Sequence, residues 1–229
     1  MPSRFARLHP KLYLTLHGIA GLALAVAGMW TFFAIAEDVP ERGAMVRVDN
    51  AVALWLQVHG TEAGEARFGI VSLFGAQILT ALLIGVGIAL IVRRDWRHVA
   101  LLAIAAGGGA LLNGALKLAF HRSRPTFAAE FHKTSWSFPS GHAMDSLIAY
   151  GLLAYWAGRR WPRVRFAAYV AAALIVALIG FSRIYLGVHF LSDVVAGFCS
   201  GFVWLAACVT GYEFAERRRV GPSGEDERR

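Results

Sequence analysis

Charge is scarce in this chain: only 17% of its 229 residues are Asp, Glu, Lys or Arg, against about a quarter in an ordinary soluble domain. Cysteine is scarcer. Cys199 and Cys208 share one apolar run, and on a helix they would stand about 13 Å apart along the axis, too far for a disulfide. A disulfide-framed secreted module is thereby excluded, and the two thiols say nothing about redox compartment. No cleavable leader is evident either. The first apolar run, Leu12–Ala36, is longer than a signal-peptide core and has no convincing cleavage site before Glu37, so it is expected to stay as a membrane span. No internal repeat is visible.

What is abundant is apolar surface. Hydrophobic residues make up 57% of the chain and the mean hydropathy is +0.51. A globule of this size cannot hide that much apolar area from water, so the bilayer is its solvent. A disordered chain and a soluble nucleic-acid binder are excluded as well. The net charge of +8 is explained by basic loops on a membrane protein, with no nucleic-acid partner.

Long apolar runs predict spans at Leu12–Ala36, Phe68–Val92, Val99–Phe120, His142–Gly158, Phe166–Tyr185 and His189–Tyr212. The fourth is shorter than the roughly twenty residues needed to cross hydrocarbon. The expected fold is an all-α integral membrane bundle of six helices. One domain would cover residues 1–220, with a disordered tail over 221–229. Orientation follows from the basic loops. Arg4, Arg7 and Lys11, then Arg93, Arg94 and Arg97, then Arg159, Arg160, Arg163 and Arg165, then Arg217, Arg218 and Arg219 fall on one side. The opposite loop, 37–67, carries Glu37, Asp38, Glu41, Asp49, Glu62 and Glu65. By the positive-inside rule both termini are cytoplasmic, in a cell (inner) membrane, and the acidic loop and 121–141 face the exterior or periplasm. Within that loop, apolar residues at Val48, Ala51, Val52, Trp55 and Leu56 recur at helical spacing, predicting a short interfacial helix over Val48–Val58. Gly197 and Gly201 are spaced for close helix packing.

Ionisable groups at the edge of hydrocarbon need a reason. Lys117, Arg122 and Arg124 stand where the third span ends. His142 opens the fourth, and Arg183, His189 and Asp193 lie between the fifth and sixth. The topology brings all of them to the outer face. Three cations, Lys117, Arg124 and Arg183, suit a phosphate group. Gly141, ahead of a helix start, lets backbone amides approach an oxyanion. His189 and Asp193 are four apart, so a carboxylate can orient an imidazole and leave its other nitrogen to attack, while His142 serves as general acid. Arg122 and His121 read as rim charges, Asn113 as packing, and Asp145 as the partner of a neighbouring cation. His132 and Lys133 are expected to touch a headgroup, Trp136 to anchor at the interface, and His9, His17, His59 and His98 to be incidental.

The set Lys117-x6-Arg124-Pro125, then Pro139-Ser140-Gly141-His142, then Ser182-Arg183-x5-His189-x3-Asp193 resembles the signature of the type 2 phosphatidic acid phosphatase family, which shares its site with vanadium haloperoxidases and bacterial acid phosphatases. The three pieces occur in order and without departure over 117–193. The resemblance implies that His189 forms a phosphohistidine, that Asp193 activates it and that His142 protonates the leaving oxygen. Lys117, Arg124, Ser140, Gly141 and Arg183 would hold the phosphoryl oxygens. It implies no cofactor and no metal, and no divalent-metal carboxylate cluster accompanies the motifs. A soluble haloperoxidase is ruled out by hydrophobicity. The expected activity is hydrolysis of a lipid phosphate or diphosphate, with phosphatidic acid, phosphatidylglycerol phosphate or undecaprenyl diphosphate as substrate. Alternatives are a lipid phosphotransferase, a lipid A phosphatase, or a non-catalytic transport or scaffold protein. Oligomeric state is left open.

Overall fold

The computed structural model describes residues 10–41, 43–125 and 136–220. The expected tail, 221–229, and His132 and Lys133 lie outside the described residues, as do the side chains of His9 and His17. The described residues are all-helical. In chain order the helices are α1 (Pro10–Glu41), α2 (Ala44–His59), α3 (Glu62–Leu73), α4 (Gln77–Val92), α5 (Trp96–Phe120), α6 (Gly141–Arg160), α7 (Arg165–Tyr185) and α8 (Leu191–Val220), with a 3₁₀ turn at Pro162–Val164.

Among the described residues, five stretches are long and apolar enough to cross a membrane: Gly21–Val39, Glu62–Val92, Trp96–Phe120, Pro162–Tyr185 and Leu191–Arg218. α6 is 20 residues long, about 30 Å, but less apolar. Its position explains the difference. It packs against α5, α7 and α8, burying Ala143, Met144, Ile148, Ala149 and Leu152. A helix wrapped by protein needs less hydrocarbon surface than one facing lipid, whose whole exposed face must be apolar. The lipid-facing helices show the converse: Leu22, Trp30, Ile84, Ile88, Leu111 and Phe166 are all exposed large hydrophobics.

The second expected span is two helices, not one. It begins earlier than Phe68, at Glu62, and breaks at residues 74–76 between α3 and α4. Gly75 makes the break compact: a Cβ there would come 2.6 Å from Ile179 and 3.2 Å from the His142 ring. The amides of residues 74, 75 and 76 close i to i−3 bonds, and the Phe74 carbonyl accepts from the Tyr150 hydroxyl at 2.9 Å. Backbone groups released at a break within a membrane are thus satisfied by protein.

Two glycines set how closely the last helix approaches the central one. A Cβ on Gly197 would lie 2.6 Å from the Ser140 carbonyl oxygen, and one on Gly201 would lie 3.0 Å from that of Met144. Without side chains there, α8 closes on the start of α6, and the Ser140 amide donates to the Asp193 carbonyl at 2.9 Å. The loop before α6 and the start of α8 are thereby held as one unit.

The helix expected over Val48–Val58 is the longer α2. It is not only a surface element: Asp49, Ala53 and Leu56 are buried, and Leu56 packs with Ala143, Ile184 and Val194 from the starts of α6 and α8 and the end of α7. Val48, Leu54, Trp55 and Val58 form its exposed apolar side. Cys199 and Cys208 are both free thiols.

Candidate active site

The site is assembled at one end of the bundle from the end of α5, the start of α6, the end of α7 and the start of α8. His189 does not stand on a helix, as its spacing from Asp193 suggests. It occupies the turn before α8, which begins at Leu191. The contact forms nonetheless, because a helix entry keeps residues four apart on one side. Asp193 Oδ2 lies 3.4 Å from His189 Nδ1 and accepts from the Phe190 amide at 3.0 Å.

The other ring nitrogen settles the tautomer. His189 Nε2 lies 3.2 Å from Arg124 Nη1. A guanidinium only donates, so Nε2 must be the acceptor, and the ring proton sits on Nδ1, directed at Asp193. The imidazole therefore presents a lone pair toward the cations. Burial pushes the His189 pKa down to about 4. The Asp193 hydrogen bond and charge oppose that shift, and the charges of Arg124 and Arg183 add to it. The ring is thus neutral at physiological pH.

The sign of the pH effect on stability follows. Between about pH 4 and the ordinary value of 6.5, the unfolded chain holds a proton on this ring that the folded chain does not. Stability contributed by His189 is present in full above pH 6.5 and declines as pH falls toward 4, by on the order of 3 kcal/mol. Thermal midpoints in detergent at pH 7 and pH 4.5 are expected to separate more in the wild type than in His189→Gln.

Arg124 also donates to the Val188 carbonyl at 2.6 Å and to that of Trp136 at 3.3 Å. Lys117 donates to the same Trp136 carbonyl at 2.8 Å, so one oxygen holds both cations together. Burial lowers the Arg124 pKa, and the Asp193 charge partly offsets it. Arg183 is buried and donates from Nη1 to the Ser72 hydroxyl at the end of α3. Its backbone carbonyl accepts the His189 amide at 3.2 Å.

At the start of α6, Ser140 is the N-cap residue, yet its side chain makes no capping bond. The first-turn amides of α6 thus keep their capacity for an anion. Among the described residues, three buried side-chain polar atoms are without a hydrogen-bond partner: Ser140 Oγ, Arg183 Nε and Trp156 Nε1. Buried polar atoms are rarely left so, and two of these three belong to the residues expected to hold phosphate.

A family model described as the PAP2 superfamily matches residues 97–217, the stretch that supplies every one of these site residues except Ser72. The chain belongs to the PAP2 superfamily. It is 32% identical over 189 residues to phosphatidylglycerophosphatase B of Bacillus subtilis, covering 81% of this chain and 93% of that protein. Its fold is similar to the crystal structure of a transmembrane PAP2-type phosphatidylglycerolphosphate phosphatase from Bacillus subtilis. The TM-score is 0.74 at 29% identity, over 84% of this chain and 96% of that one. The apolar helices and this likeness make the chain a multi-pass membrane protein.

The structure corrects the expectations for Arg122 and His98. Arg122 is not a rim charge: it is buried, with Nη1 2.6 Å from Asp193 Oδ1 and Nη2 2.7 Å from Asp49 Oδ2. The sequence shows Asp49 only as one acid of the outer loop and gives no sign of Ser72, because each is separated by a long stretch of chain from the arginine it meets. Asn113 is buried as expected, and it also holds the motif loop, its Nδ2 lying 3.4 Å from the Pro139 carbonyl. Asp145 and His142 line one cavity of about 270 Å³ between α4, α5 and α6, together with Gly75, Leu79, Leu83 and Ile148. Trp136 is exposed, and its ring meets that of His121 edge-on. His98 is not incidental: it lies 2.7 Å from Asp95 and 3.3 Å from the Tyr212 hydroxyl, at the opposite end of the bundle.

Proposed function

We propose that this PAP2 protein is an integral membrane lipid phosphatase that works through a phosphohistidine at His189. The observation that carries the reading is the His189 ring itself, held by Asp193 on Nδ1 with its Nε2 lone pair aimed at Arg124. The phosphorus of the substrate would take the place toward which that lone pair points. Arg124, Lys117 and Arg183, with Ser140 and the first amides of α6, would take the phosphoryl oxygens as charge shifts onto them. Nε2 attacks phosphorus, the bond from phosphorus to the lipid oxygen breaks, and His142 supplies that oxygen with a proton. Water then attacks the phosphorus of the intermediate and gives its proton to His142. The N–P bond breaks with its electron pair returning to Nε2, and inorganic phosphate leaves.

The cavity that His142 lines supports a lipid substrate, since its other walls are mostly apolar side chains of α4, α5 and α6. The Bacillus relative, by its name, acts on phosphatidylglycerophosphate, which favours that lipid over phosphatidic acid and undecaprenyl diphosphate. α6 would complete a sixth crossing. The site would then face outward, at the end of the bundle away from Arg93, Arg94, Arg97, Arg159 and Arg160. The positively charged residues do the electrostatic work that a divalent metal performs in other phosphatases, so turnover would need none.

The test is phosphate release in detergent with excess chelator from phosphatidylglycerol phosphate, phosphatidic acid, undecaprenyl diphosphate and lipid A. Chelator-resistant release, fastest from phosphatidylglycerol phosphate, is the expected result. Absence of release from every lipid, with or without added divalent metal, overturns the phosphatase reading.

A further inference from the structure

We propose that Asp49, on α2, is a positioning residue that acts through Arg122 on Asp193. The proposal rests on the phosphohistidine reading above. Asp49 lies outside the stretch matched by the superfamily model. It is 1% exposed, in a buried group with Arg122, Ser192 and Asp193.

The connections are specific to each atom. Asp49 Oδ1 accepts the Ser192 amide at 2.9 Å, and Oδ2 accepts Arg122 Nη2 at 2.7 Å and the Ser192 hydroxyl. Arg122 Nη1 reaches the Ser192 hydroxyl and Asp193 Oδ1, each at 2.6 Å. The Phe190 ring covers the guanidinium at 4.3 Å. One guanidinium is thus divided between two carboxylates, one nitrogen to each, and the buried group keeps a net negative charge.

That division matters to His189. Asp193 has two oxygens with separate duties: Oδ1 takes Arg122, and Oδ2 is left for His189 Nδ1 and the Phe190 amide. Arginine prefers to grip a carboxylate with two nitrogens. If Asp49 did not hold Nη2, the fork could turn onto both oxygens of Asp193 and compete with the imidazole for Oδ2. Asp49 also carries a second negative charge close to the pair, which keeps Asp193 a strong acceptor. Removing it is expected to misorient and weaken the nucleophile while leaving the residues that hold the phosphoryl oxygens in place.

Asp49→Asn is therefore expected to lower kcat by about 10- to 100-fold with KM little changed. In an Asp193→Asn background, the same substitution is expected to change kcat by less than about twofold, because the route through Asp193 is already cut. A residue that only braces α2 would lower activity equally in both backgrounds, and that result overturns the proposal, as does a raised KM with kcat kept. Ser192→Ala, which removes the hydroxyl joining Asp49 to Arg122, should show the same dependence on Asp193 if Asp49→Asn fails to fold.

Orthovanadate binding gives a readout without turnover. Vanadate takes five-coordinate geometry on a nucleophilic nitrogen, so its affinity reports on His189. It should weaken about tenfold in Asp49→Asn and not further when Asp193→Asn is already present. Vanadate affinity unchanged by Asp49→Asn overturns the positioning role. Wild-type protein that binds vanadate but releases no phosphate would instead overturn the phosphatase reading.

Discussion

Replacing His189 by alanine is expected to lower phosphate release by about four orders of magnitude or more while the protein still inserts and folds. Loss of a covalent nucleophile is among the largest single effects in enzyme kinetics. The surroundings explain why the fold should survive. Asp193 keeps Arg122 on Oδ1 and the Phe190 amide on Oδ2, and Arg124 keeps the Val188 carbonyl. No buried charge is left alone. The His189 amide bond to the Arg183 carbonyl is untouched by a side-chain change. Substrate labelled on phosphorus gives a second measure. Wild-type protein quenched in alkali should carry acid-labile label on His189, and His189→Ala should carry none. Label retained in the variant would place the covalent step on another residue.

His142→Ala is expected to lower kcat/KM for a lipid phosphate by about 10² to 10⁴-fold, but to spare an aryl phosphate with a good leaving group. The argument is one of leaving-group chemistry. An alkoxide needs a proton as its bond to phosphorus breaks, whereas a nitrophenolate departs without one. kcat/KM is the parameter to compare, because it covers only the steps through departure of the leaving group and excludes the later attack of water. His142 stands at the start of α6, on the wall of the cavity between α4, α5 and α6. Equal losses on both substrates would make His142 a holder of the phosphoryl group and not its acid.

How much of this was legible in the sequence depends on how far apart the partners lie. Lys117 and Arg124, Ser140 to His142, and Arg183 to Asp193 each occupy a short segment. Their spacing reflects one loop or one helix entry, so the residue types could be read as chemistry without coordinates. Arg122 looks like a rim charge in the sequence because its partner Asp49 is 73 residues away and sits in a helix whose apolar rhythm suggests only an interface. Ser72 and Arg183 are 111 residues apart, with the same outcome. The break at Gly75 was hidden for a different reason. Hydropathy runs unbroken through it, and only the close approach of His142 and Ile179 shows why the helix must stop. Length and apolarity located the lipid-facing helices well. The central helix α6 was the least visible because its neighbours are protein.

The bridge through Arg122 has a bearing on biogenesis. Asp49 comes before the second apolar stretch, Arg122 after the third, and Asp193 opens the last helix. A chain entering the membrane from its N-terminus would therefore bring Asp49 and Arg122 together as a neutral buried pair well before the nucleophile is synthesised. On the phosphohistidine reading, that pair would be a prepared socket for Asp193, and the arrival of α8 would both complete the bundle and set His189 in its working tautomer. A partly made chain would then lack the means to attack the phospholipids around it. Where substrate class and solvent are one, reactivity would be withheld until the last helix of the bundle is in place.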